Sequence, residues 1–402
     1  MPPTCVAALP DAAPQPACSP GSCGTDAPIC DGETGACRGC IADAECGGNG
    51  ACTEYNGLCV GENAVIYISP NGFDNGKCNH GQPCRTFAAA FAVLEPGRRT
   101  IRVAPGAYLA SGSSIVTVND TNGRIEISGE DADPSDTTFQ SVSNGTSNPS
   151  TVVTNSKTDV VIEGVTVKEC GNDGVHANAS LLLSHAAIVA CNGRGLETSS
   201  GATVHVWDSA ITDNGDFGVI AQDGTLEVLR STIARNIDGG IVTNRIALTV
   251  EGSFIVRNGT VDKSLTGGLR LSNTDGLPQR ISFLTVAFNQ AQLSGIAGLQ
   301  ADKPVVVENS IFVDNGLVDS FQICIGCSAR YTMFSGFSLP IGDGNIDDPA
   351  DFVDPAADDF HLKSSSKARD AADPTATGLV DADGDARPIG GRCDIGADEI
   401  RL

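Results

Sequence analysis

The sequence predicts an all-β solenoid, in which the chain winds into stacked coils of about 22 residues with three short strands in each coil. Along residues 160–258, aliphatic and asparagine side chains recur at a spacing of 22. A coil of this size cannot bury its apolar face alone, so each coil must stack on its neighbours. The predicted columns are Val160, Leu182, Val204, Leu226 and Leu248; Val167, Val189, Ile211, Ile233 and Ile255; Ile162, Ser184, Val206, Val228 and Val250; and Asn192, Asn214, Asn236 and Asn258.

The residues between these columns favour strands over helices. In residues 226–244, apolar residues alternate with polar ones over three to five positions, and β-branched side chains dominate. A leucine-rich repeat or a helical hairpin would show helical spacing instead. Stacked strands lie about 4.8 Å apart, so buried asparagine amides can hydrogen-bond from coil to coil. A glycine before an aliphatic residue predicts the corner that precedes each third strand, at Gly174, Gly195, Gly218, Gly240, Gly268 and Gly298.

The pattern L-x-V-x-x-S-x-I-x-x-N, followed by a glycine and an aliphatic residue, resembles the right-handed parallel β-helix proteins of the pectate-lyase-like group. The resemblance covers residues 64–400 and implies an asparagine ladder in the turn between the second and third strands. It also implies that residues 204–208 and their equivalents form the first strand, whose outer face carries the cleft in the polysaccharide lyases of that group. A short helix in residues 85–97 would cover the first coil and protect its unpaired backbone groups.

Charge and composition exclude several classes of partner. The chain has 49 acidic and 25 basic residues and a formal net charge of −24, which disfavours nucleic acid and anionic membranes. An anionic glycan would need bridging cations. No run of 18 apolar residues exists, so we expect no transmembrane segment, and we expect a monomer. Sixteen cysteines predict an extracellular or cell-surface location. The first residues lack a signal-peptide pattern, so we infer that the export signal was trimmed or lies upstream.

Cysteines predict the organisation of the N-terminal part. Residues 1–60 hold nine of them with almost no apolar core, so this domain should be disulfide-bonded, as two copies of one small unit. Zinc at Cys37 and Cys40 is the alternative. We expect further disulfides at three close pairs, one within a loop, one between adjacent coils and one near residue 325: Cys78 with Cys84, Cys170 with Cys191, and Cys324 with Cys327.

The 22-residue period stops near residue 340, so we expect a β-helix over residues 64–340 and a separate domain over residues 341–402. This last segment resembles the choice-of-anchor Q module that ends many bacterial surface β-helices, and the resemblance implies capping or display. Asp381, Asp383 and Asp385 alternate as in a calcium loop, although the glutamate expected further on is missing. A solvated turn is the alternative to a Ca²⁺ site there.

Side chains between the inward columns of the first strand should face outward and form a ligand-binding surface. With the 22-residue register, Trp207 lies beside His205, His185 and Glu227. A tryptophan ring covers the face of a pyranose while polar neighbours bond its hydroxyls, so these four residues predict polysaccharide binding. The alternative is that Trp207 lies under a loop.

A polysaccharide lyase would need carboxylates that hold Ca²⁺ against an acidic sugar, and a basic side chain as general base. The residues of these types on adjacent coils are Asp208, Glu227, Arg230 and Glu251. A spacing of 22 would also pair Asp208 with Arg230, and Asp213 with Arg235, as surface ion pairs. Two functions therefore stay open: a non-enzymatic surface scaffold that binds polysaccharide, and a polysaccharide lyase or related carbohydrate-active enzyme.

Overall fold

A computed structural model describes most of the chain, and the fold is all-β with three faces of parallel strands. None of the described helices is long and apolar enough to span a membrane. The described residues are 18, 23–31, 34, 36–48, 50–53, 56–74, 76–120, 122–130, 133–155, 158–199, 201–272, 276–293, 295–316, 327–335, 342–376 and 380–401.

The strands stack in three parallel sheets that are visited in the same order in each coil from Thr100–Val103 to Ile311–Val313, which confirms the three-strand coil. Two long strands, Phe217–Leu229 and Gly239–Glu251, run from the third sheet into the first. The other strands of the first sheet are Val65–Ile68, Thr100–Val103, Ile125–Gly129, Val160–Glu163, Leu181–Ser184, Thr203–Trp207, Gln279–Ser282, Val306–Glu308 and Ser328–Arg330. The second sheet contains Gly106–Ser111, Thr137–Val142, Thr166–Lys168, Ala187–Val189, Ala210–Thr212, Thr232–Ala234, Phe254–Val256, Thr285–Ala287, Ile311–Val313, Met333–Phe334 and Ile346–Asp347. The third contains Val116–Val118, Val152–Thr154, Val175–Ala177, Leu196–Thr198, Leu269–Ser272 and Leu299–Ala301.

The helix predicted at the start of the solenoid is present as Phe87–Ala92. The Thr86 hydroxyl accepts a hydrogen bond from the Ala89 N–H and caps it. Phe87 packs edge-on against Tyr108 and Phe139 of the second sheet, so the helix covers the first coils. The remaining short elements are the 3-10 turns Asp43–Cys46, Glu62–Ala64, Pro134–Asp136 and Pro355–Ala357 and the antiparallel pairs Ile29–Cys30 with Cys37–Arg38, Ala51–Thr53 with Leu58–Val60, and Phe352–Asp354 with Asp359–Leu362.

The register of one coil differs from a strict 22-residue count. Val160 pairs with Leu181, which lies 21 residues on, and Leu181 pairs with Val204. The connection from the third sheet back to the first is shorter after Ala177 than after Thr198, and this connection absorbs the difference. The inward residues of this coil are therefore Leu181, Leu183 and Ile188, whereas the predicted Leu182, Ser184 and Val189 are wrong by one position.

Two corners of each coil fix the register through left-handed backbone conformations. From Val160–Glu163 onward the residue after each first-sheet strand has positive φ, as at His185, Asp208 and Arg230. The residue after each second-sheet strand from Thr166–Lys168 to Ile311–Val313 also has positive φ, as at Asp213 and Arg235. Such a residue turns the chain sharply at one defined point. The turn between the third and first sheets repeats this feature less regularly and also varies in length.

A ladder of buried side chains follows the second corner, as the resemblance implies. From Asn236 onward, each Asn Oδ1 accepts from the backbone N–H and the side-chain amide of the preceding rung; Asn214 Nδ2, for example, donates to Asn236 Oδ1 over 2.8 Å. The rungs are Asn214, Asn236, Asn258, Asn289 and Asn315, all buried. A second ladder, of hydroxyls, follows the first corner at Ser209, Ser231 and Ser253.

The predicted rung Asn192 is wrong, because Cys191 occupies that place. The Cys191 N–H donates to Asn214 Oδ1 over 3.0 Å, while Asn192 is exposed. Cys170 occupies the rung above, and the disulfide between Cys170 and Cys191 confirms the predicted bridge between adjacent coils. The ladder therefore begins with a covalent link and continues with amides.

The glycine that precedes each third strand is required by close approach between coils. The φ of Gly195 is not positive, so backbone freedom does not explain it. A Cβ at Gly195 would lie 2.3 Å from Ile211 Cγ2, 2.7 Å from the Gly218 carbonyl oxygen and 2.8 Å from Asn214 Nδ2. Glycine at this corner thus lets the next ladder amide and its neighbours pack against the backbone.

The Cys-rich segment consists of two crossed disulfide units. Each unit joins its first cysteine to its third and its second to its fourth, and Cys37 and Cys40 belong to different disulfides. The disulfides are Cys18 with Cys30, Cys23 with Cys37, Cys40 with Cys52, and Cys46 with Cys59. Cys78 with Cys84 closes the predicted loop. Cys5 and Cys324 lie outside the described residues.

We therefore predict that these eight N-terminal cysteines resist alkylation. The full chain, unfolded in guanidinium without reductant and treated with iodoacetamide, should show none of them labelled by peptide mass spectrometry. The same protein reduced first is the control and should label fully. Most of these thiols reacting without reductant, or stoichiometric zinc in the purified protein, would contradict the assignment.

The C-terminal segment packs along the outer face of the second sheet. Phe352, Phe360 and Ile395 belong to one buried cluster with Phe254 and Met333 of that sheet. The second sheet itself continues to Ile346–Asp347, past the expected boundary at residue 340. This face of the solenoid is therefore covered, whereas part of the outer face of the first sheet is open.

Candidate functional site

His205, Trp207 and Glu227 meet on the outer face of the first sheet. Val204 and Val206 are fully buried, and because strand side chains alternate, His205 and Trp207 face outward. In the parallel register His205 lies directly opposite Glu227. All three side chains are half-buried, so the predicted orientation of Trp207 is confirmed.

One carboxylate oxygen positions both rings. Glu227 Oε2 accepts from Trp207 Nε1 over 3.1 Å and lies 2.8 Å from His205 Nδ1. The ring centroids of His205 and Trp207 are 5.5 Å apart in an edge-to-face arrangement. The indole is thus fixed by a hydrogen bond and a ring contact before any ligand arrives.

His185 is not part of this cluster, which corrects its predicted place in the Trp207 column. Ser184 lies opposite Trp207 in the register, and His185 is the next residue, at the corner with a φ of 44°. Its side chain is 56% exposed, with Nδ1 3.0 Å from Ser184 Oγ and 3.8 Å from a Glu163 oxygen. The count of 22 placed it in the column because the spacing from Ser184 to Trp207 is 23 residues.

A cavity of about 290 Å³ lies beside the two rings. Trp207 and His205 line this cavity, and so do Arg124 and Asp159, which form an ion pair of 3.6 Å. The remaining lining is mainly aliphatic, from Val160, Val161, Ser180, Leu181 and Leu182. An apolar floor with polar groups at its edges suits a ligand that is itself amphipathic.

The residues considered for a lyase are mostly engaged in ion pairs. Arg230 binds Asp208 through two hydrogen bonds of 2.7 Å, which confirms the ion-pair interpretation of these two residues. Asp213 and Arg235 form the other predicted pair, at 2.7 Å. Glu251 lies 2.8 Å from Arg280, and burial raises its pKa. Of the four candidates, the structure brings only Glu227 into contact with Trp207.

The fold has counterparts among known proteins. Residues 124–282 match the family described as the right-handed β-helix region. The crystal structure of pectate lyase Pel9A aligns with 84% of this chain and 96% of that chain, with a TM-score of 0.64 and 18% sequence identity. The chain is a right-handed parallel β-helix. At this identity the likeness to Pel9A concerns the fold alone, and no curated protein gives a significant sequence match.

Two buried carboxylates on the same face of the β-helix were not predicted. Glu126 and Glu163 are 5% and 3% exposed, and each has one oxygen without a hydrogen-bond donor among the described residues. The Cys-rich segment packs nearby, where Asp43 forms an ion pair of 2.6 Å with buried Arg102. Burial raises the pKa of Glu126 to about 8, although the charge of Arg102 opposes the shift. Alternation marks both glutamates as outward-facing, and no sequence signal shows that another segment lies against them.

We predict that Glu126→Gln stabilises the β-helix at alkaline pH. Glu126 holds its proton more tightly in the folded chain than in the unfolded one. Its contribution to the unfolding free energy is therefore fully present below pH 4.5 and is lost as the pH rises through about 8. At pH 9 the variant should unfold with a free energy about 1–3 kcal/mol above the parent, and at pH 4 the two should unfold alike. Urea unfolding at both pH values measures this.

The matched control is Glu95→Gln, which removes an exposed carboxylate. Its unfolding free energy should depend on pH as that of the parent does. A Glu126→Gln protein that is less stable than the parent at pH 9 would show that the ionised carboxylate is required.

The three aspartates of the expected calcium loop each have different partners within the C-terminal segment. Asp381 is fully buried, and its carboxylate accepts from the backbone N–H groups of Asp383, Asp385 and Glu399. Asp385 forms an ion pair with Arg401, and Asp383 lies 2.8 Å from His361. The structure does not bring the three carboxylates to one point, and Ca²⁺ at this loop stays a prediction.

Proposed function

We propose that this protein is an exported, surface-displayed β-helix that binds polysaccharide on the outer face of its first sheet. The arrangement of Trp207, His205 and Glu227 carries the proposal, because it presents a fixed aromatic ring beside an open cavity. Export is supported by the disulfides of the N-terminal segment, since such bonds persist in oxidising compartments.

Two polar atoms of the cluster are available to a ligand. Glu227 uses Oε2 for both rings, and its Oε1 has no donor among the described residues. His205 uses Nδ1, and its Nε2 has no partner in the same part of the chain. A pyranose stacked on the indole could therefore donate hydrogen bonds from its hydroxyls to the fixed imidazole nitrogen and to the carboxylate oxygen.

The charge of the chain favours a neutral polysaccharide. A formal net charge of −24 and the carboxylate within the cluster would repel uronic acids unless cations bridged them. Binding is also favoured over lyase chemistry, because Asp208 with Arg230 and Glu251 with Arg280 neutralise one another. A panel of neutral and uronic polysaccharides, each tested with and without Ca²⁺, separates the two functions, since new absorbance from unsaturated sugar ends would indicate a lyase.

We predict that Trp207→Ala weakens polysaccharide binding about tenfold or more, because the stacked ring supplies about 1–2 kcal/mol. The melting temperature should change little, since Trp207 faces outward and is only half-buried. In the parent, an oligosaccharide of the bound polymer should shift the fluorescence of the single tryptophan, so affinity can be read directly. Isothermal titration gives the affinity of the variant.

His185→Ala is the matched control, because His185 is exposed at the neighbouring corner and outside the cluster. It should bind as the parent does. A Trp207→Ala protein that keeps its affinity but has a much lower melting temperature would show that Trp207 stabilises the fold and does not bind polysaccharide.

A further inference from the structure

A second group of polar side chains lies at the seam between the C-terminal segment and the second sheet. One nitrogen of His361 and one oxygen each of Asp383 and Asp398 lie within 4.8 Å of one another. The His361 ring also packs edge-on against Phe254 of the second sheet, with centroids 5.8 Å apart. The group therefore joins two parts of the fold at one point.

The imidazole of His361 is oriented by a separate carboxylate. Its Nδ1 lies 2.6 Å from Asp359 Oδ1, and its Nε2 lies 2.8 Å from Asp383 Oδ2. The Asp359 carboxylate keeps a proton on Nδ1, so that a cation can take the place of a second proton between Nε2 and Asp383 Oδ2. This is the usual arrangement around a metal-binding histidine.

The Asp398 carboxylate accepts a single hydrogen bond from the described residues. The side chain belongs to a residue that is 6% exposed, and Oδ2 accepts from the Leu362 N–H over 2.7 Å. Oδ1 has no donor among the residues that the structure describes. The carboxylate lines a cavity of about 710 Å³, together with His361 and Asp383. A carboxylate that is largely removed from water and accepts few hydrogen bonds is stabilised by a nearby cation.

A second cluster of one histidine and two carboxylates has its polar atoms satisfied by other protein groups. Asp173, His176 and Glu197 also lie within 4.8 Å of one another, on the third sheet. There, however, Asp173 accepts from the Arg194 N–H, Glu197 forms an ion pair with the Arg194 guanidinium, and His176 Nε2 bonds Asn178. No cation is needed in that cluster.

We propose that His361, Asp383 and Asp398 bind one divalent transition-metal ion at this seam. One imidazole and two carboxylates suit Zn²⁺ better than Ca²⁺ or Mg²⁺, which prefer oxygen ligands alone. The fourth position faces the cavity, where water or an anionic ligand can occupy it. The ion links Asp398, near the end of the chain, to a histidine that packs on the second sheet, so it also fastens the C-terminal segment.

The test uses the full chain, stripped with chelator and titrated with Zn²⁺ by equilibrium dialysis. We expect one tightly bound ion, a loss of at least tenfold in affinity for His361→Gln and for Asp383→Asn, and a loss of about tenfold to a hundredfold for Asp359→Asn. Asp383 is 48% exposed, so Asp383→Asn tests the site even where His361→Gln folds poorly.

His176→Gln, in the other cluster, is the matched control and should bind Zn²⁺ as the parent does. Co²⁺ in place of Zn²⁺ should give visible absorption bands of four-coordinate geometry that Asp383→Asn abolishes. Absence of saturable binding, unchanged affinity in Asp383→Asn, or loss of binding in His176→Gln overturns the proposal. None of these results depends on polysaccharide binding at Trp207.

Discussion

Val206→Asp is expected to unfold several coils at once. Val206 is fully buried between Leu183 and Val228 in the interior column of the first sheet. A carboxylate there has no partner and no water, so the loss in unfolding free energy should be about 4 kcal/mol or more. Because each coil stabilises only its neighbours, the damage should spread along the stack. Circular dichroism melting and protease sensitivity measure the effect.

The control is Thr203→Asp, which places the same charge on the same strand at an outward, half-buried position. It should melt within a few degrees of the parent. Equal melting of Val206→Asp and the parent would refute the inward assignment of this column.

The second large effect is expected from Asn236→Ala in the middle of the ladder. Asn236 Oδ1 accepts from the backbone N–H and the amide of Asn214, and Asn236 Nδ2 donates to Asn258 Oδ1 and to the Ile211 carbonyl. Truncation leaves several buried polar groups without partners, each costing about 1–3 kcal/mol when unsatisfied. We expect a total loss of about 3–5 kcal/mol, read from urea unfolding.

Asn192→Ala is the matched control, since the 22-residue count places Asn192 in the ladder and the structure places it on the surface. Its unfolding should be unchanged within about 0.5 kcal/mol. A large loss for Asn192→Ala together with a small one for Asn236→Ala would contradict the observed register.

The architecture could be predicted because its physical cause repeats. Coils that stack must present the same side chain at the same place, so Ile211, Ile233 and Ile255 recur and reveal the interior. The register of one coil could not be predicted in the same way. Leu181, Leu182 and Leu183 are all apolar, so a slip by one residue leaves the hydrophobic pattern intact. Only the corner at His185 shows which leucines face inward.

The residues of the candidate site could also be predicted where the spacing is regular and not where it is irregular. Alternation along a single strand predicted that His205 and Trp207 face outward, and the regular spacing to the next coil brought Glu227 beside them. His185 was misplaced because its position depended on the irregular coil. Contacts between distant segments, such as Asp43 with Arg102 or Phe254 with His361, have no period, so the sequence pattern does not reveal them.

The asparagine ladder has a polarity. Every amide donates toward the C-terminal end: Asn214 to Asn236, Asn236 to Asn258, Asn258 to Asn289, and Asn289 to Asn315. Each Nδ2 also donates to a backbone carbonyl, such as that of Ile211 or Ile255, so no amide can rotate alone without losing two bonds. The amide dipoles therefore add head to tail along the axis and polarise one another. At the N-terminal end of this chain, Asn214 Oδ1 accepts from the Cys191 N–H, and the disulfide of Cys170 and Cys191 stands where a further amide would itself need partners.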